Sequence, residues 1–546
     1  MKPRFIPELA VLLLLSLSTS VLAEIRLPHV ISDHAVLQRD APIHIWGWSD
    51  PGEKIIAHFH AQTRATEANK YGEWSLYLLP ERAGGPYELT LSGNTESSSM
   101  NSASEPAAPA STTATAPPAA AASVGAPATP AGLTISDLLV GDVWFASGQS
   151  NMEMPLNGFP GSAVLKNADQ EIASANQPQM RLLLVDRKAS DVPQADTAAT
   201  WTLCTPETAA KFSAVAYLFG REISNREHVP VGLIDSTWGG TPVESWISLD
   251  GLAADASLMP AFATRARFAN EQTRLSAVIA EERREDAAAK AAGQPLPKHP
   301  WHPAEISWAP AYLYNSLVAP FTPYSIKGVI WYQGETNSAP ERAPQYVRLF
   351  PAMISDWRAK WGQGDFPFLF VQISSFDSPG ENWGIIRDAQ RRTLSLANTG
   401  MAVSLDVGER DNVHPPDKQT VAARLVLAAR NLAYNEPIEY SGPLFKQATV
   451  ESMPNGGNGF RIWFTHGAGL NAKGGALRGF EVAGEDKHYV TATATIEGNS
   501  VLVNSLIKPP DSSSQVPVYV RYAWAGFSDA NLYNQAGLPA PTFTSE

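Results

Sequence analysis

The chain has 546 residues, of which 44% are hydrophobic and 17% charged, enough apolar material for several folded domains. Its formal net charge of −13 opposes contact with a phosphate backbone, so we expect no nucleic-acid partner. A single cysteine, Cys204, excludes an internal disulfide. The sequence contains no CxxC or HExxH pattern, and we therefore expect neither a metal nor another cofactor.

The first 23 residues are typical of a signal peptide. Lys2 and Arg4 supply positive charge, Leu9–Leu17 form a short apolar run, and Ala23 is a small residue suited to the cleavage site. Neither this run nor any later one is long enough to span a bilayer. We predict an exported protein, periplasmic or extracellular, without a membrane span and with a mature chain that begins near Glu24.

Residues 24–93 are predicted to form a small β-sandwich-like domain. Within Ile43–Trp48 every second residue is Ile or Gly, which is typical of a strand with one buried face. Residues 94–132 then change to mostly Ala, Ser, Pro and Thr, without an aromatic side chain. Such a segment cannot bury enough apolar surface to offset the entropy of ordering it, so we predict a disordered insertion.

Residues 133–436 are predicted to form an α/β domain. Continuous apolar runs are typical of parallel strands that helices cover on both faces. The runs are Leu138–Phe145, Leu182–Val185, Val231–Asp235, Val329–Tyr332, Phe368–Ile373 and Met401–Leu405. Helical periodicity lies between them, as in Tyr346–Trp357 and Val421–Leu432. A charged, Ala-rich insertion at about 262–292 predicts an exposed helix, and residues 437–546 return to a β-rich pattern.

Three segments of small and polar residues follow predicted strands, where open α/β sheets place their functional sites. They are Gly148–Met152, Trp331–Asn337 and Asp411–Pro415. Acyl transfer needs a hydroxyl, a base, a group that orients the base, and donors for the developing oxyanion. Together the three segments offer these groups.

Ser150 follows Gly148 by two residues on a predicted tight turn, which would expose its hydroxyl. An Asp three residues before a His can reach the imidazole Nδ1 and leave Nε2 free for the serine proton, as the spacing of Asp411 and His414 allows. The Asn337 amide and the Gly239–Gly240 backbone are candidate oxyanion donors. Two other histidines, His302 and His228, are alternative bases.

These segments resemble the dispersed blocks of the SGNH hydrolases, and specifically the sialate O-acetylesterase group of carbohydrate esterases. The resemblance continues in five further stretches and covers nearly the whole mature chain. They are Ser32–Gln38, Gly141–Trp144, Ser236–Thr241, Lys327–Glu335 and Asn531–Pro539. It implies a flavodoxin-like parallel sheet, as in SGNH hydrolases, with accessory antiparallel β domains.

The resemblance also implies roles for individual residues. Ser150 matches the nucleophile, His414 the base and Asp411 the acid, with Glu409 and Asp406 as alternatives to Asp411. The oxyanion hole matches the N–H groups of Ser150 and Gly240 and the side chain of Asn337. Because the second segment reads Gly-Glu-Thr-Asn instead of Gly-x-Asn-Asp, Gln333 or Glu335 is an alternative to Asn337.

The implied substrate is an acetylated oligosaccharide or polysaccharide, either from plant cell walls, such as xyloglucan or xylan, or carrying O-acetyl sialic acid. The predicted substrate contacts are Gln149, Trp238, Gln333, Glu335, Trp383 and Arg387. Three alternatives stay open from the sequence: a non-catalytic glycan-binding protein, a glycoside hydrolase that uses Glu335 and Asp411, and a lipase-like esterase. The sequence contains no contiguous apolar lid, which disfavours the last.

Overall fold

A computed structural model describes residues 24–94, 132–160, 165–300, 302, 306–453, 458–504 and 517–546, with only the backbone described for 94 and 263–273. The predicted signal peptide, residues 1–23, lies outside the described residues, as does nearly all of the predicted disordered insertion. In the described part of the chain, no helix combines the length and the apolar character that a membrane crossing requires.

Seven strands form the N-terminal β region and lead into the central sheet. They are β1 (Val36–Gln38), β2 (Ile43–Trp48), β3 (Lys54–Phe59), β4 (Gln62–Glu67), β5 (Glu73–Leu78), β6 (Gly84–Asn94) and β7 (Leu133–Gly148). Buried and half-buried residues alternate along β2 because one face of its pair with β5 packs on the core. The start of β7 pairs with β6 and its end lies in the central sheet, so one strand belongs to both regions.

Strands and helices alternate through the α/β domain. They are α1 (Ser150–Glu153), α2 (Ala168–Ala173), β8 (Gln177–Leu184), β9 (Trp201–Cys204), α3 (Pro206–Ala210), α4 (Ala214–Glu227), β10 (Val231–Thr237), α5 (Leu249–Ala253), α6 (Met259–Ala291), β11 (Gly328–Tyr332), α7 (Ala343–Trp361), β12 (Phe368–Gln372), α8 (Trp383–Thr393), β13 (Thr399–Val403) and α9 (Lys418–Leu432). Short 3-10 or π turns lie at Val243–Trp246, Ala256–Leu258, Tyr314–Val318, Ala319–Phe321, Glu335–Ser338 and Leu405–Val407.

The central sheet has the strand order β13-β12-β11-β7-β10-β8-β9, and every neighbouring pair is parallel except β8 and β9. Each predicted apolar run overlaps one of these strands, and β10, β11, β12 and β13 are buried along their whole length. The predicted parallel α/β architecture is confirmed.

Helices cover both faces of this sheet. The Trp144 ring packs edge-on against Phe219 of α4, whereas the Phe145 ring packs edge-on against Trp357 of α7. Consecutive residues of a strand point to opposite faces, so α4 and α7 lie on opposite sides. Helix α9 packs beside α4 and α8 beside α7, which completes the two layers. Burial on both faces explains why the strands are continuously apolar.

The insertion predicted at about 262–292 is the helix α6, which spans Met259–Ala291. From residue 274 onward, its side chains are exposed or half-buried. This part of the helix lacks an apolar face that could pack against the domain, in agreement with its charged, Ala-rich composition.

The C-terminal region consists of small antiparallel sheets, as the alternating pattern predicts. Its strands are β14 (Leu444–Ser452), β15 (Asn458–Thr465), β16 (Asn471–Ala472), β17 (Phe480–Ala483), β18 (Val490–Thr491), β19 (Thr493–Glu497), β20 (Ser500–Asn504), β21 (Tyr519–Tyr522), β22 (Leu532–Tyr533) and β23 (Phe543–Thr544). The Phe543 ring stacks on Phe445 and Tyr522 and so joins two of these sheets. The structure thus has an SGNH-like α/β fold with accessory β regions.

Candidate active site

Four loops meet at one edge of the central sheet, because β7, β10, β11 and β13 run in parallel and end on the same side. Gly148 at the end of β7 stands opposite Thr237 of β10 on one side and Tyr332 of β11 on the other. The residues after these strands therefore converge with the loop after β13 on a single pocket.

The turn after β7 presents Ser150 to this pocket. Gly148 has φ 135°, and a Cβ there would stand 2.2 Å from the Tyr332 carbonyl oxygen, so only glycine fits. The Gln149 N–H donates to the same carbonyl at 3.0 Å and closes the turn. Ser150 then begins α1, with its side chain in the wall of the pocket.

His414 lies within proton-transfer reach of Ser150, since its Nε2 is 2.8 Å from the Ser150 Oγ. The Phe159 ring packs against the imidazole with centroids 5.4 Å apart. Burial, together with the nearby positive charge of Lys418, lowers the pKa of His414 to about 4. The imidazole is consequently neutral at neutral pH and able to accept the hydroxyl proton.

Asp411 is not placed as the sequence predicts. Its side chain is exposed and has no hydrogen bond to His414, and among the described residues no carboxylate bonds to the His414 Nδ1. The reason lies in the turn, where the Asn412 Oδ1 accepts the His414 backbone N–H at 3.0 Å and leaves Asp411 on the solvent side.

The two alternative acids are engaged elsewhere. Asp406 accepts two hydrogen bonds from the Arg424 guanidinium, at 2.6 and 2.8 Å. Glu409 accepts from the Asn412 Nδ2 at 2.9 Å and so supports the turn without touching the imidazole. Among the described residues, therefore, none of the three candidate acids bonds to the His414 imidazole.

Two backbone N–H groups are available for an oxyanion beside Ser150. Neither the Ser150 nor the Gly240 N–H has a hydrogen-bond acceptor in the described chain, and both residues line the pocket. The loop carrying Gly240 approaches closely because Gly239 lacks a Cβ, which would stand 3.2 Å from that of Ser150. Unpaired N–H groups beside a serine hydroxyl are the kind of donors that acyl transfer requires.

The prediction that Asn337 is an oxyanion donor is wrong for this geometry. Its side chain is fully buried, and its Nδ2 donates to Glu244 at 2.9 Å. Its Oδ1 accepts from Gln333 at 2.7 Å and from the Val243 N–H at 2.9 Å. With both ends of the amide occupied, Asn337 joins the loop after β10 to the loop after β11 and does not line the pocket.

Gln333, a predicted substrate contact, has a similar place. It is fully buried, its Nε2 also donates to the Thr241 carbonyl at 3.2 Å, and its Oε1 accepts from the Tyr346 hydroxyl at 3.0 Å. It is absent from the pocket wall. Gln333 thus joins the loops after β10 and β11 beneath the pocket wall, and it does not make the predicted substrate contact.

Arg387 likewise does not reach the pocket. The side chain is fully buried in α8 and donates to the carbonyls of Ala523, Ala525 and Gly526. Its guanidinium lies 5.8 Å from the centroid of the Trp383 ring. Its hydrogen bonds attach the C-terminal β region to α8, which is a structural role instead of the predicted contact with substrate.

The other predicted contacts, Gln149, Trp238, Glu335 and Trp383, do line the pocket, which has a volume of about 660 Å³. Gln149 is held in place because its Oε1 accepts the N–H groups of Gly334 and Thr336. Aromatic side chains form much of the wall. They are Phe159, Trp238, Trp308, Phe376 and Trp383.

The charged groups of the pocket are mostly acidic. Three carboxylates, those of Glu153, Glu335 and Glu381, line it beside one guanidinium, that of Arg342. The Arg342 Nε donates to the Thr336 carbonyl at 3.0 Å, and its guanidinium lies 4.8 Å from the Trp308 ring centroid. Within the described residues, no three His, Cys, Asp or Glu side chains cluster as a metal site would require.

Several residues of the site carry no recognisable signal in a single sequence. Trp308, Phe159 and Phe376 are aromatic residues of the kind that usually pack in a core, and all of them lie outside the three motifs. Asn151 and Lys418, which adjoin the Ser150–His414 pair, look like ordinary turn and helix residues. Only their contacts in the folded chain identify them.

Comparison with known proteins gives consistent results. Residues 301–430 match the family described as carbohydrate esterase, sialic acid-specific acetylesterase. The sialate O-acetylesterase of Homo sapiens is 28% identical over 95% of this chain and 92% of its own length. The Mus musculus sialate O-acetylesterase is 27% identical, over 98% and 97%.

The crystal structure of a carbohydrate acetylesterase from Xanthomonas citri is also similar. It is 33% identical, the match covers 96% of this chain and 100% of that one, and the TM-score is 0.74. The similarity therefore includes the accessory β regions as well as the α/β domain.

Proposed function

The chain belongs to the sialate O-acetylesterase-like carbohydrate esterases and is a carboxylic ester hydrolase, and we propose that it removes O-acetyl groups from neutral sugars through Ser150 and His414. The observation that carries the proposal is the 2.8 Å contact between Ser150 Oγ and His414 Nε2 in the pocket wall. A hydroxyl is a weak nucleophile until a neutral base takes its proton, and this pair meets that need.

In the first half of the reaction, Ser150 Oγ attacks the acetyl carbonyl carbon while His414 Nε2 takes the hydroxyl proton. The carbonyl oxygen becomes an oxyanion, which the N–H groups of Ser150 and Gly240 stabilise. His414 then gives its proton to the sugar oxygen as the ester bond breaks. The deacetylated sugar leaves, and an acetyl group remains on Ser150.

In the second half, water replaces the sugar. His414 takes a proton from the water, whose oxygen attacks the acetyl carbon, and the same two N–H groups stabilise the second oxyanion. The bond to Ser150 Oγ breaks, the proton on His414 returns to that oxygen, and acetic acid leaves and ionises to acetate in water. In each half the neutral imidazole acts as base and the imidazolium that it becomes then acts as acid, so one residue suffices for both proton transfers.

The lining of the pocket supports a neutral sugar as substrate. Aromatic rings stack on the C–H faces of sugars, and five such rings form the wall. Three carboxylates line the pocket and one guanidinium, that of Arg342, so its lining offers a single cation to the carboxylate of a sialic acid. Acetylated xyloglucan or xylan oligosaccharides fit this environment better than O-acetyl sialic acid does.

Acetate release from a panel of acetylated sugars tests the proposal. Acetylated xyloglucan and xylan oligosaccharides should release acetate faster than 9-O-acetyl-N-acetylneuraminic acid, and no reducing sugar should appear. A preference for the sialic acid would overturn the choice of substrate. A Ser150→Ala variant that released acetate at the wild-type rate would overturn the catalytic assignment.

The same assay decides between the esterase and the other functions considered. A glycan-binding protein without catalysis would release no acetate from any substrate. A glycoside hydrolase would release reducing sugar, and the exposed position of Asp411 outside the pocket wall argues against its pairing with Glu335.

Export is a further part of the proposal. Lys2, Arg4 and the apolar run that follows support a signal peptide, as the sequence predicts. Expression of the full chain with its own N-terminus should yield a processed protein outside the cytoplasm, with Glu24 near its first residue. Recovery of an unprocessed protein from the cytoplasm would contradict export.

A further inference from the structure

The side chain of Asn151, the residue after the nucleophile, is fully buried and makes three hydrogen bonds to three different segments. Its Nδ2 donates to the Glu335 Oε1 at 2.6 Å and to the Val413 carbonyl at 3.0 Å. Its Oδ1 accepts from the Lys418 Nζ at 2.5 Å. One amide therefore joins the turn after β7 to the segment after β11, the loop after β13 and α9.

Opposite charges fix the orientation of this amide. Lys418 is 1% exposed and Glu335 is 8% exposed, and the two flank Asn151 from opposite ends without forming a direct ion pair in the described structure. An ammonium group requires the amide oxygen, and a carboxylate requires the amide N–H. Rotating the amide by half a turn would set N–H against N–H and oxygen against oxygen, so a single orientation is stable.

This orientation ties the nucleophile to the base. Asn151 follows Ser150 directly, and the carbonyl it holds belongs to Val413, which directly precedes His414. No carboxylate of the described chain bonds to the imidazole, so the loop after β13 has to be located by other contacts. This buried hydrogen bond joins the residue next to Ser150 to the residue next to His414, and it therefore restricts the distance between Ser150 Oγ and His414 Nε2.

We propose that Asn151, held between Lys418 and Glu335, is the positioning residue that keeps His414 in reach of Ser150, in place of an acid bonded to the imidazole. This inference rests on the proposed function, because it presupposes that Ser150 and His414 react with the substrate. We call the three residues the amide clamp: Asn151, Glu335 and Lys418.

The charges around the clamp also affect the base. Burial lowers the pKa of Lys418 to about 7, while Glu335 and Asp417 oppose that shift. The positive charge of Lys418 lowers the pKa of His414 in addition to the effect of burial. The Tyr332 ring also lies near the ammonium group, with its centroid 5.4 Å away. Without Lys418 the pKa of His414 should rise toward its ordinary value of 6.5.

The first test uses Asn151→Ala and Lys418→Met. We measure kcat and KM on a chromogenic acetyl ester, together with the rate at which a fluorophosphonate labels Ser150. Both variants should lower kcat and the labelling rate by about 100-fold, because a small misplacement of reacting groups has an effect of that order, and KM should change little. In Lys418→Met the acid limb of the kcat/KM profile should also move to higher pH, since His414 then protonates more readily.

A control and a second variant separate positioning from folding. Arg430→Met removes another cation of α9, which pairs with Glu436 at 2.6 Å away from the pocket, and should leave kcat and the pH profile unchanged. The double variant Lys418→Met/Glu335→Gln removes both buried charges while it retains their approximate shape, a change that folded proteins often tolerate. Its kcat should fall by at least about tenfold.

The outcomes are distinct. Folded clamp variants with wild-type kcat and an unmoved acid limb would overturn the positioning role while leaving the proposed function intact. A wild-type protein that released no acetate and resisted labelling at Ser150 would instead overturn the proposed function. Loss of kcat in the clamp variants, with Arg430→Met unaffected, would support the inference.

Discussion

The turn after β7 and the segment after β11 have similar compositions and different roles. Both follow a buried central strand, and both combine a glycine with amide and hydroxyl side chains, in Gly148–Asn151 and in Gly334–Asn337. In the turn, the Ser150 hydroxyl and N–H face the pocket. In the segment, the Asn337 amide is fully buried and bonded at both ends.

The packing of neighbouring side chains explains why the segment after β11 is buried and the turn after β7 is open to the pocket. A Cβ on Gly334 would lie 2.9 Å from side-chain atoms of Ile373 and of Ile386, so α8 covers the segment closely. The turn after β7 has no such cover on the side of the pocket. Position at the edge of a parallel sheet therefore selects candidate residues, but the state of their hydrogen bonds decides which are reactive and which are structural.

Replacing His414 should produce the largest difference between the two regions. His414→Ala removes the imidazole that contacts Ser150, and kcat should fall by about a millionfold because members of a catalytic unit act together. Acetate release from a chromogenic acetyl ester measures the effect. His302→Ala is the matched control, since that histidine bonds to Glu282 on α6, and its kcat should stay at the wild-type level. Retained activity in His414→Ala would refute the assignment.

The pH profile tests whether the pocket buries its base. Since burial lowers the pKa of His414 to about 4, kcat/KM should stay level as the pH falls and drop tenfold per pH unit only below that value. An exposed histidine would lose activity below its ordinary pKa of 6.5. Initial rates at each pH, with tryptophan fluorescence to confirm folding, give the profile. An acid limb near 6.5 would mean that His414 is solvated.

Asn337→Ala probes the buried segment. The change leaves Glu244 and the Val243 N–H without a partner, so the free energy of unfolding should fall by roughly 1–3 kcal/mol. Because Asn337 does not line the pocket, kcat should fall by less than about tenfold, whereas loss of an oxyanion donor costs about 100- to 1,000-fold. Denaturant titration and acetate release separate the two effects. A 100-fold loss of kcat with unchanged stability would restore Asn337 to the oxyanion hole.

Asp411→Asn should have the smallest effect. The carboxylate is exposed and makes no hydrogen bond to His414. The kcat should therefore remain within about twofold of the wild-type value, and the acid limb of the pH profile should not move. The same ester assay measures this variant. In an enzyme with a catalytic triad, changing the acid to Asn lowers kcat by about 10,000-fold. A loss of that size here would show that Asp411 approaches the imidazole during catalysis.

Much of the fold was predictable because local composition reflects burial. The run Val329–Tyr332 predicts a strand, and β11 spans Gly328–Tyr332, since both of its faces are covered by helices. The early part of β7 was missed, because Leu133–Asp137 pairs with β6 and lacks the continuous apolar run found from Leu138 onward. A strand that pairs in two different sheets has a different hydrophobic pattern in each half, so the apolar run predicts only the half in the central sheet.

The candidate site was predictable in position and only partly in detail. Short-range geometry identified the turn that carries Ser150 and the loop that carries His414. The contact between Asp411 and His414 was also inferred from spacing, but Asn412 closes that turn and directs Asp411 outward. Spacing limits which atoms can meet, and competing hydrogen bonds choose among them.

The sequence by itself determined where the strands lie, which segments follow them, and that a serine and a histidine stand at strand ends, because these properties depend on neighbours along the chain. The tertiary structure alone decided which side chains are left unpaired. Ser150 and His414 are 264 residues apart, and Asn151 is 184 residues from Glu335 and 267 from Lys418. Hydrogen-bond partners so distant along the chain become neighbours only when the parallel strands bring their ends together at one edge of the sheet.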